Sequence, residues 1–223
     1  MYITLSAENR PDTSLLAQDK GHRTSPRTLL KKGKHLYREG DEVERIYQVE
    51  TGVVRLTRML EDGRRQVIAF GYPGDIIGFP ADGCHHTDCE ALVDTTLQAY
   101  NRAALDHGNG DPDLHMALLH AALREISAMQ DHVMMLGRKS AAEKVASFLN
   151  VITQRYGEDL GVYRQIDLPM SRSDIADFLG LTTETVSRAF TALRLSGVIA
   201  LDGAQTIIVM QPAMLQDLSR GSN

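Results

Sequence analysis

The segment SRSDIADFLGLTTETVSRAFTALRL (171–195) limits the possible folds of this chain more than any other, because five local requirements meet in it. Ser171 is a helix N-cap, and Asp174 follows three residues on, at the positive end of the helix. Ile175 and Leu179 supply an inner face, and Ala176 is small where a second helix must come close. Gly180 stands at the turn, where a left-handed backbone is least strained for glycine. Leu181 anchors the turn, and Thr182 caps a second helix whose inner face is Val186, Ala189, Phe190 and Leu193. Two helices joined by a short glycine turn form either the DNA-binding helix-turn-helix or an ordinary helical hairpin in a core.

The outward face separates these two. Thr183, Glu184, Ser187, Arg188 and Thr191 fall at i, i+1, i+4, i+5 and i+8, a single stripe at the start of the second helix. An Arg can pair bidentately with guanine, and a Glu can accept from the cytosine amino group. Glu184 and Arg188 are also spaced for an intrahelical ion pair, which is compatible with readout because it pre-orients the guanidinium. Ser187 and Thr183 can read or exclude a thymine methyl. Thr182, Thr183, Thr191, Arg172 and Arg194 are expected at phosphate or flanking contacts, with a solvated charge as the alternative for Arg172 and Arg194. The stretch Gly197–Met210, an apolar strand, Asp202-Gly203 and then Thr206–Val209, adds the hairpin of a winged helix. Gln205 and Thr206 there either touch phosphates or simply close the hairpin.

Bulk charge gives this reading no help. The formal net charge is −5 and the pI about 5.9. From Lys139 onward there are eight Lys and Arg against nine Asp and Glu. That excludes a protein that coats nucleic acid by charge alone, but not one that reads sequence through placed side chains. The 223 residues suit two modest domains. No apolar run approaches the roughly 18–20 residues that span a bilayer. The opening MYITLSAENR has no secretory pattern. Two cysteines in a chain of this length fit a reducing compartment, so a cytoplasmic protein with no membrane partner is expected.

Residues 1–26 read as a loose arm. From 27 to 110, short β-type runs (Tyr47–Val49, Val53–Leu56, Val67–Phe70) alternate with glycines, and Glu61-Asp62-Gly63 signals a hairpin. A β-roll is expected. Over 112–137, Leu119, Ala122, Ile126, Met129, Val133 and Leu136 recur at steps of three and four, the a/d seam of a dimerising helix. Residues 138–215 then hold a second helix (Arg138–Tyr156) and the winged helix, with its helix-turn-helix at 172–191. The architecture expected is α+β.

Cys84, His85, His86 and Cys89 place two thiols and two imidazoles within six residues. They could hold a soft metal or close a regulatory disulfide. No second matching pair exists, so the stretch reads as a surface loop, and no metal or cofactor is expected. Catalysis is not expected either. A cupin-type metal site needs an H-x-H pair, and no Ser/His/Asp set or phosphate-cradling loop is present.

Four stretches carry a resemblance: YREGDEVERIYQVETGVVRL (37–56), PGDIIGF (73–79), LGRKSAAEKVASFL (136–149) and SRSDIADFLGLTTETVSRAFTALRLSGVI (171–199). They resemble the cyclic-AMP receptor protein/fumarate-nitrate regulator superfamily, and the FixK and FNR branch most of all. The resemblance implies a β-roll sensor domain, a long dimerisation helix, a C-terminal winged helix and a two-fold operator. It implies that Glu184, Ser187 and Arg188 read a TTGAT-type half-site, and that RNA polymerase is a partner, with the Glu61–Arg65 turn facing it. Two departures matter. No Arg stands in IIGFPADGCHHTDCEALV (76–93) to hold a cyclic phosphate, so no cyclic-nucleotide binding is expected. Residues 1–30 contain no cysteine, and two cysteines cannot form a four-thiolate iron–sulfur site. Met129 occupies an apolar seam position where a carboxylate would repel its two-fold mate, so a homodimer without a cofactor is expected. The implied role is activation of genes for micro-oxic or anaerobic respiration, denitrification or nitrogen fixation. The alternative is the same fold gated by a small-molecule, metal or redox signal in the roll.

Overall fold

The computed structural model describes residues 27–79, 82–102, 112–203 and 205–221. The expected N-terminal arm lies outside these residues. Two compact units are formed, one extending through Ala128 and the other from Met129 onward. The boundary falls inside the long helix, whereas the sequence reading placed domain limits at its ends.

The first unit is the β-roll. Strands β1 (Arg27–Leu30), β8 (Thr95–Asn101), β3 (Arg45–Thr51) and β6 (Ile76–Ile77) form one antiparallel sheet in that spatial order. Strands β2 (His35–Tyr37), β7 (Asp88–Ala91), β4 (Val54–Met59) and β5 (Arg65–Gly71) form the other. Each strand turns alternate side chains inward. Leu30, Val49, Ile77 and Leu97 from the first sheet meet Tyr37, Val54, Leu56, Ala69, Cys89 and Ala91 from the second in one buried core. The strands run longer than the apolar triplets and quartets that announced them, because ladder pairing recruits polar residues such as Arg58 and Gln66. The expected hairpin turn is present, with Leu60 and Arg64 closing it and Gly63 at φ 81°. Gly52, between β3 and β4, has φ 84°, and a Cβ there would lie 2.6 Å from the Asp94 carbonyl oxygen, so glycine is required sterically as well as conformationally.

Helix α1 (Pro112–Arg138) follows. In the first unit Leu118 and Ala121 pack with Ile46 and Ile76, and Leu114, Ala117 and Phe79 lie against that cluster. Helix α2 (Ala141–Tyr156) starts three residues later than the sequence reading placed it. Ser140 forms a capping box with Glu143, each satisfying the other's backbone N–H, and this sets the break after Arg138.

The second unit also contains three elements the sequence reading missed. Strands β9 (Glu158–Leu160) and β10 (Tyr163–Asp167) form a hairpin, and helix α5 (Pro212–Arg220) ends the described chain. Strand β10 pairs with the wing, so the wing belongs to a four-stranded sheet, β11 (Ile199–Asp202), β12 (Thr206–Val209), β10, β9. Helix α5 docks on α2. The Ser219 carbonyl accepts from Lys139 Nζ at 2.7 Å and from Ser147 Oγ at 3.1 Å.

Candidate nucleic-acid interface

Helices α3 (Arg172–Leu179) and α4 (Thr183–Leu195) form the helix-turn-helix. Ser171 and Asp174 make a full capping box, with Ser171 Oγ accepting from the Asp174 N–H at 3.1 Å and the carboxylate accepting from the Ser171 N–H at 2.9 Å. Gly180 takes the left-handed conformation (φ 62°, ψ 41°), and the Leu181 N–H returns to the Ala176 carbonyl at 3.0 Å. Thr182 caps α4 by accepting from the Thr185 N–H. Ile175, Ala176, Leu179, Val186, Phe190 and Leu193 are buried, and Ala189 is partly so. Each local device read from the sequence is therefore in place.

Thr183, Glu184, Ser187, Arg188 and Thr191 are all exposed on one face of α4. An Arg188 guanidinium nitrogen lies 2.6 Å from Glu184 Oε1. Ser187 Oγ donates to the Thr183 carbonyl at 2.9 Å, and Thr191 Oγ1 donates to the Ser187 carbonyl at 3.0 Å. With their protons turned back on the helix, both hydroxyls present lone pairs outward as acceptors. The face thus offers two acceptor hydroxyls, one carboxylate and one guanidinium held by it. A shallow depression on this face is also lined by Ala192 and Leu195. The sequence reading missed these two, although they continue the stripe at i+8 and i+11 from Glu184. Leu195 is 78% exposed.

The flanking cations differ from one another. Arg194 is exposed in the last turn of α4. Arg172 is packed, its guanidinium carbon 3.4 Å from the centre of the Phe190 ring, and desolvation there lowers its pKa. Such stacking covers one face of the guanidinium and leaves its in-plane N–H edge for another partner. At the wing, Thr206 Oγ1 donates to Asp167 at 2.7 Å and Gln205 Nε2 donates to the Pro169 carbonyl at 3.3 Å. Both side chains tie the wing to the second unit, as the hairpin-closing alternative requires.

Helix α1 presents Leu119, Ile126, Met129 and Val133 to solvent, with Ala122 and Leu136 half-buried. Met116, Leu123 and Met134 are also exposed and widen the apolar stripe beyond the a/d positions read from the sequence. In the roll, the Cys-His-His-x-x-Cys residues diverge. Cys89 lies in the core on β7, and burial pushes its thiol above the usual range. His85 stacks on Tyr37 with ring centres 3.5 Å apart. His86 bonds to Asp82 at 3.0 Å, and Cys84 is exposed. No group of three or more His, Cys, Asp or Glu side chains positioned for a metal ion occurs among the described residues.

A capped helix-turn-helix joined to a paired wing, in a chain that also carries a β-roll, defines a winged-helix DNA-binding regulator. Residues 143–218 match the Crp-like helix-turn-helix domain, and residues 27–107 match the cyclic nucleotide-binding domain. The chain is 43% identical over 188 residues to the nitrogen fixation regulation protein FixK of Rhizobium meliloti strain 1021, covering 84% of each protein. It is 30% identical over 190 residues to the fumarate and nitrate reduction regulatory protein of Escherichia coli K12, covering 84% of this chain and 76% of that one. Among solved structures, FixK2 from Bradyrhizobium japonicum superposes with a TM-score of 0.80 at 37% identity, over 89% of this chain and 98% of that one. The chain belongs to the Crp/Fnr superfamily, in its FixK branch. It is a DNA-binding transcription regulator of FixK/FNR type and not an enzyme.

Proposed function

We propose that the protein acts as a homodimeric activator that binds a TTGAT-type palindrome without a cyclic nucleotide or an iron–sulfur cluster. Its genes would be those of micro-oxic or anaerobic respiration, denitrification or nitrogen fixation, the last being the process its FixK relatives are named for regulating. The observation that carries the reading is the exposed stripe on α4, where Glu184 orients Arg188 between two acceptor hydroxyls. Glu184 accepts from a cytosine amino group, Arg188 donates to the paired guanine, and Ser187 reads the neighbouring thymine. The exposed apolar stripe of α1 supports self-association, since a soluble chain rarely leaves such a strip in water.

Two observations favour independence from a cyclic nucleotide. Side chains from both sheets close the roll's core, and Arg55, a largely buried cation of the roll, is already neutralised by Glu90 at 2.5 Å. A cyclic phosphate entering such a site without a free cation would be left uncompensated. The exposed turn in which Asp62 binds Arg64 is the surface we assign to RNA polymerase. Substituting both residues then lowers transcription and leaves DNA affinity intact.

Selection of bound sites from random duplexes tests the main reading. It should return a two-fold site with half-site centres about one helical turn, ~34 Å, apart. Equal binding to every duplex would end the proposal.

A further inference from the structure

We propose that His132 is a positioning residue for DNA readout. Its stack on Phe178 fixes the angle between the seam helix and the helix-turn-helix, and so sets the half-site spacing the dimer accepts. The inference rests on the dimeric, two-half-site reading above.

The geometry lies wholly within the second unit. On the last turns of α1, Met129 and Val133 face solvent, while His132 and Met135 face inward. The His132 ring lies 4.5 Å from the Phe178 ring, with their planes 27° apart. Phe178 is fully buried on α3, and it also meets Phe148 of α2, 5.8 Å away at 57°. The imidazole therefore joins α1 to α3, the helix that holds α4 through the Gly180 turn. Only Lys139 and Ser140 separate α1 from α2, so a second restraint at this junction has large leverage. The Lys139 ammonium supplies one tie, to Ser147 and the Ser219 carbonyl, and His132 supplies the other.

The required stiffness can be estimated. One base pair changes the half-site separation by about 3.4 Å, or ~1.7 Å per protomer. At 10–10.5 base pairs per turn, the same change also turns one half-site about the duplex axis by roughly 34–36°, so each protomer must tilt as well as shift. A flat stack resists such a tilt because it must open a gap between the rings, and a gap of half to one ångström already forfeits much of the contact energy. A branched aliphatic chain of similar volume has no plane to hold. Nor is the imidazole the residue that burial alone would favour. Its Nδ1 is buried without a partner, a desolvation cost that a phenyl ring or a leucine would avoid and that the ring's hydrogen bond to the Phe178 backbone only partly offsets.

The test uses the full-length protein and the selected palindrome, alongside the same site with one central base pair inserted or removed and a duplex with a single half-site. Wild type and His132→Phe, which keeps the plane, should prefer the native spacing about tenfold or more. His132→Leu, which keeps volume without the plane, should fall below about threefold while single half-site binding stays within about twofold. Phe178→Leu should reproduce that loss from the other side of the stack. If both leucine variants keep wild-type discrimination, or if His132→Phe loses it with them, the positioning role is overturned. If wild type itself shows no spacing preference, the two-half-site reading falls and this inference falls with it.

Discussion

Arg188 carries the sharpest chemistry on the exposed face of α4. Its ion pair with Glu184 is exposed on both sides, 79% and 72%, where such a pair contributes only about 0.3–0.5 kcal/mol. Stability alone is therefore a weak reason for the arrangement, and orientation of the guanidinium is a better one. Ser187 and Thr191 follow the same logic, since their back-bonded protons leave acceptors facing outward. Arg188→Ala should weaken binding to the selected site by about 1–3 kcal/mol and relax discrimination at one guanine. Anisotropy titrations on sites varied at that base would check it. A loss equal on all sequences would mean that Arg188 contacts phosphate instead.

At the scale of elements, α1 carries a buried carboxyl, Glu125, and a half-buried imidazole, His132, with opposite pH behaviour. Burial, reinforced by Asp75, raises the Glu125 carboxyl to about 8, so its neutral form is the folded one. A raised folded pKa means its stabilisation is complete below the unfolded value near 4.5 and is lost as pH climbs through about 8. Burial lowers His132 to about 4, with Lys144 acting in the same direction and hydrogen bonding to the Phe178 backbone opposing. Its contribution is complete above the unfolded value of 6.5 and is lost as pH falls through about 4. At about 1.4 kcal/mol per unit of pKa, each effect is on the order of a few kcal/mol. Thermal melts followed by circular dichroism should therefore show Glu125→Gln gaining on wild type as pH rises from 4.5 to 8. His132→Phe should gain as pH falls from 6.5 to 4. Curves parallel to wild type at every pH would contradict this sign assignment.

For the whole molecule the question is what covers the apolar stripe of α1. Ile126 is 55% and Val133 67% exposed in the single chain, so neither contributes much to its own protomer's core. A charge at either site should leave the protomer folded and break only the pairing of two copies. Ile126→Glu is expected to sediment as a monomer with an unchanged circular dichroism spectrum. Its affinity for the palindrome should drop by roughly 10²–10⁴, the advantage of linking two binding modules. Dimers that persist in Ile126→Glu at micromolar concentration would place the interface elsewhere.

The helix-turn-helix was legible residue by residue because its signals are local. A cap bonds three residues ahead, a turn glycine adopts its own φ, and a helical stripe repeats within seven residues. The apolar stripe of α1 was legible for the same reason, although the exposed Leu123 and Met134 show that its width was not. What the sequence did not disclose depends on partners distant along the chain. Strand β9 is fully exposed and β10 reads as polar, and the hairpin exists because β10 pairs with the wing more than thirty residues on. Helix α5 is held by Lys139, eighty residues upstream of the Ser219 carbonyl it grips. Likewise Arg172 read as a phosphate contact or a solvated charge until Phe190 was folded beneath it, and Cys89 read as part of a surface loop until β7 turned it into the core. Periodicity and capping write the exposed stripe of α4 into the sequence, because they act within a few residues. Burial and ladder pairing decide which of the remaining side chains are free to act, and only the folded chain brings those partners together.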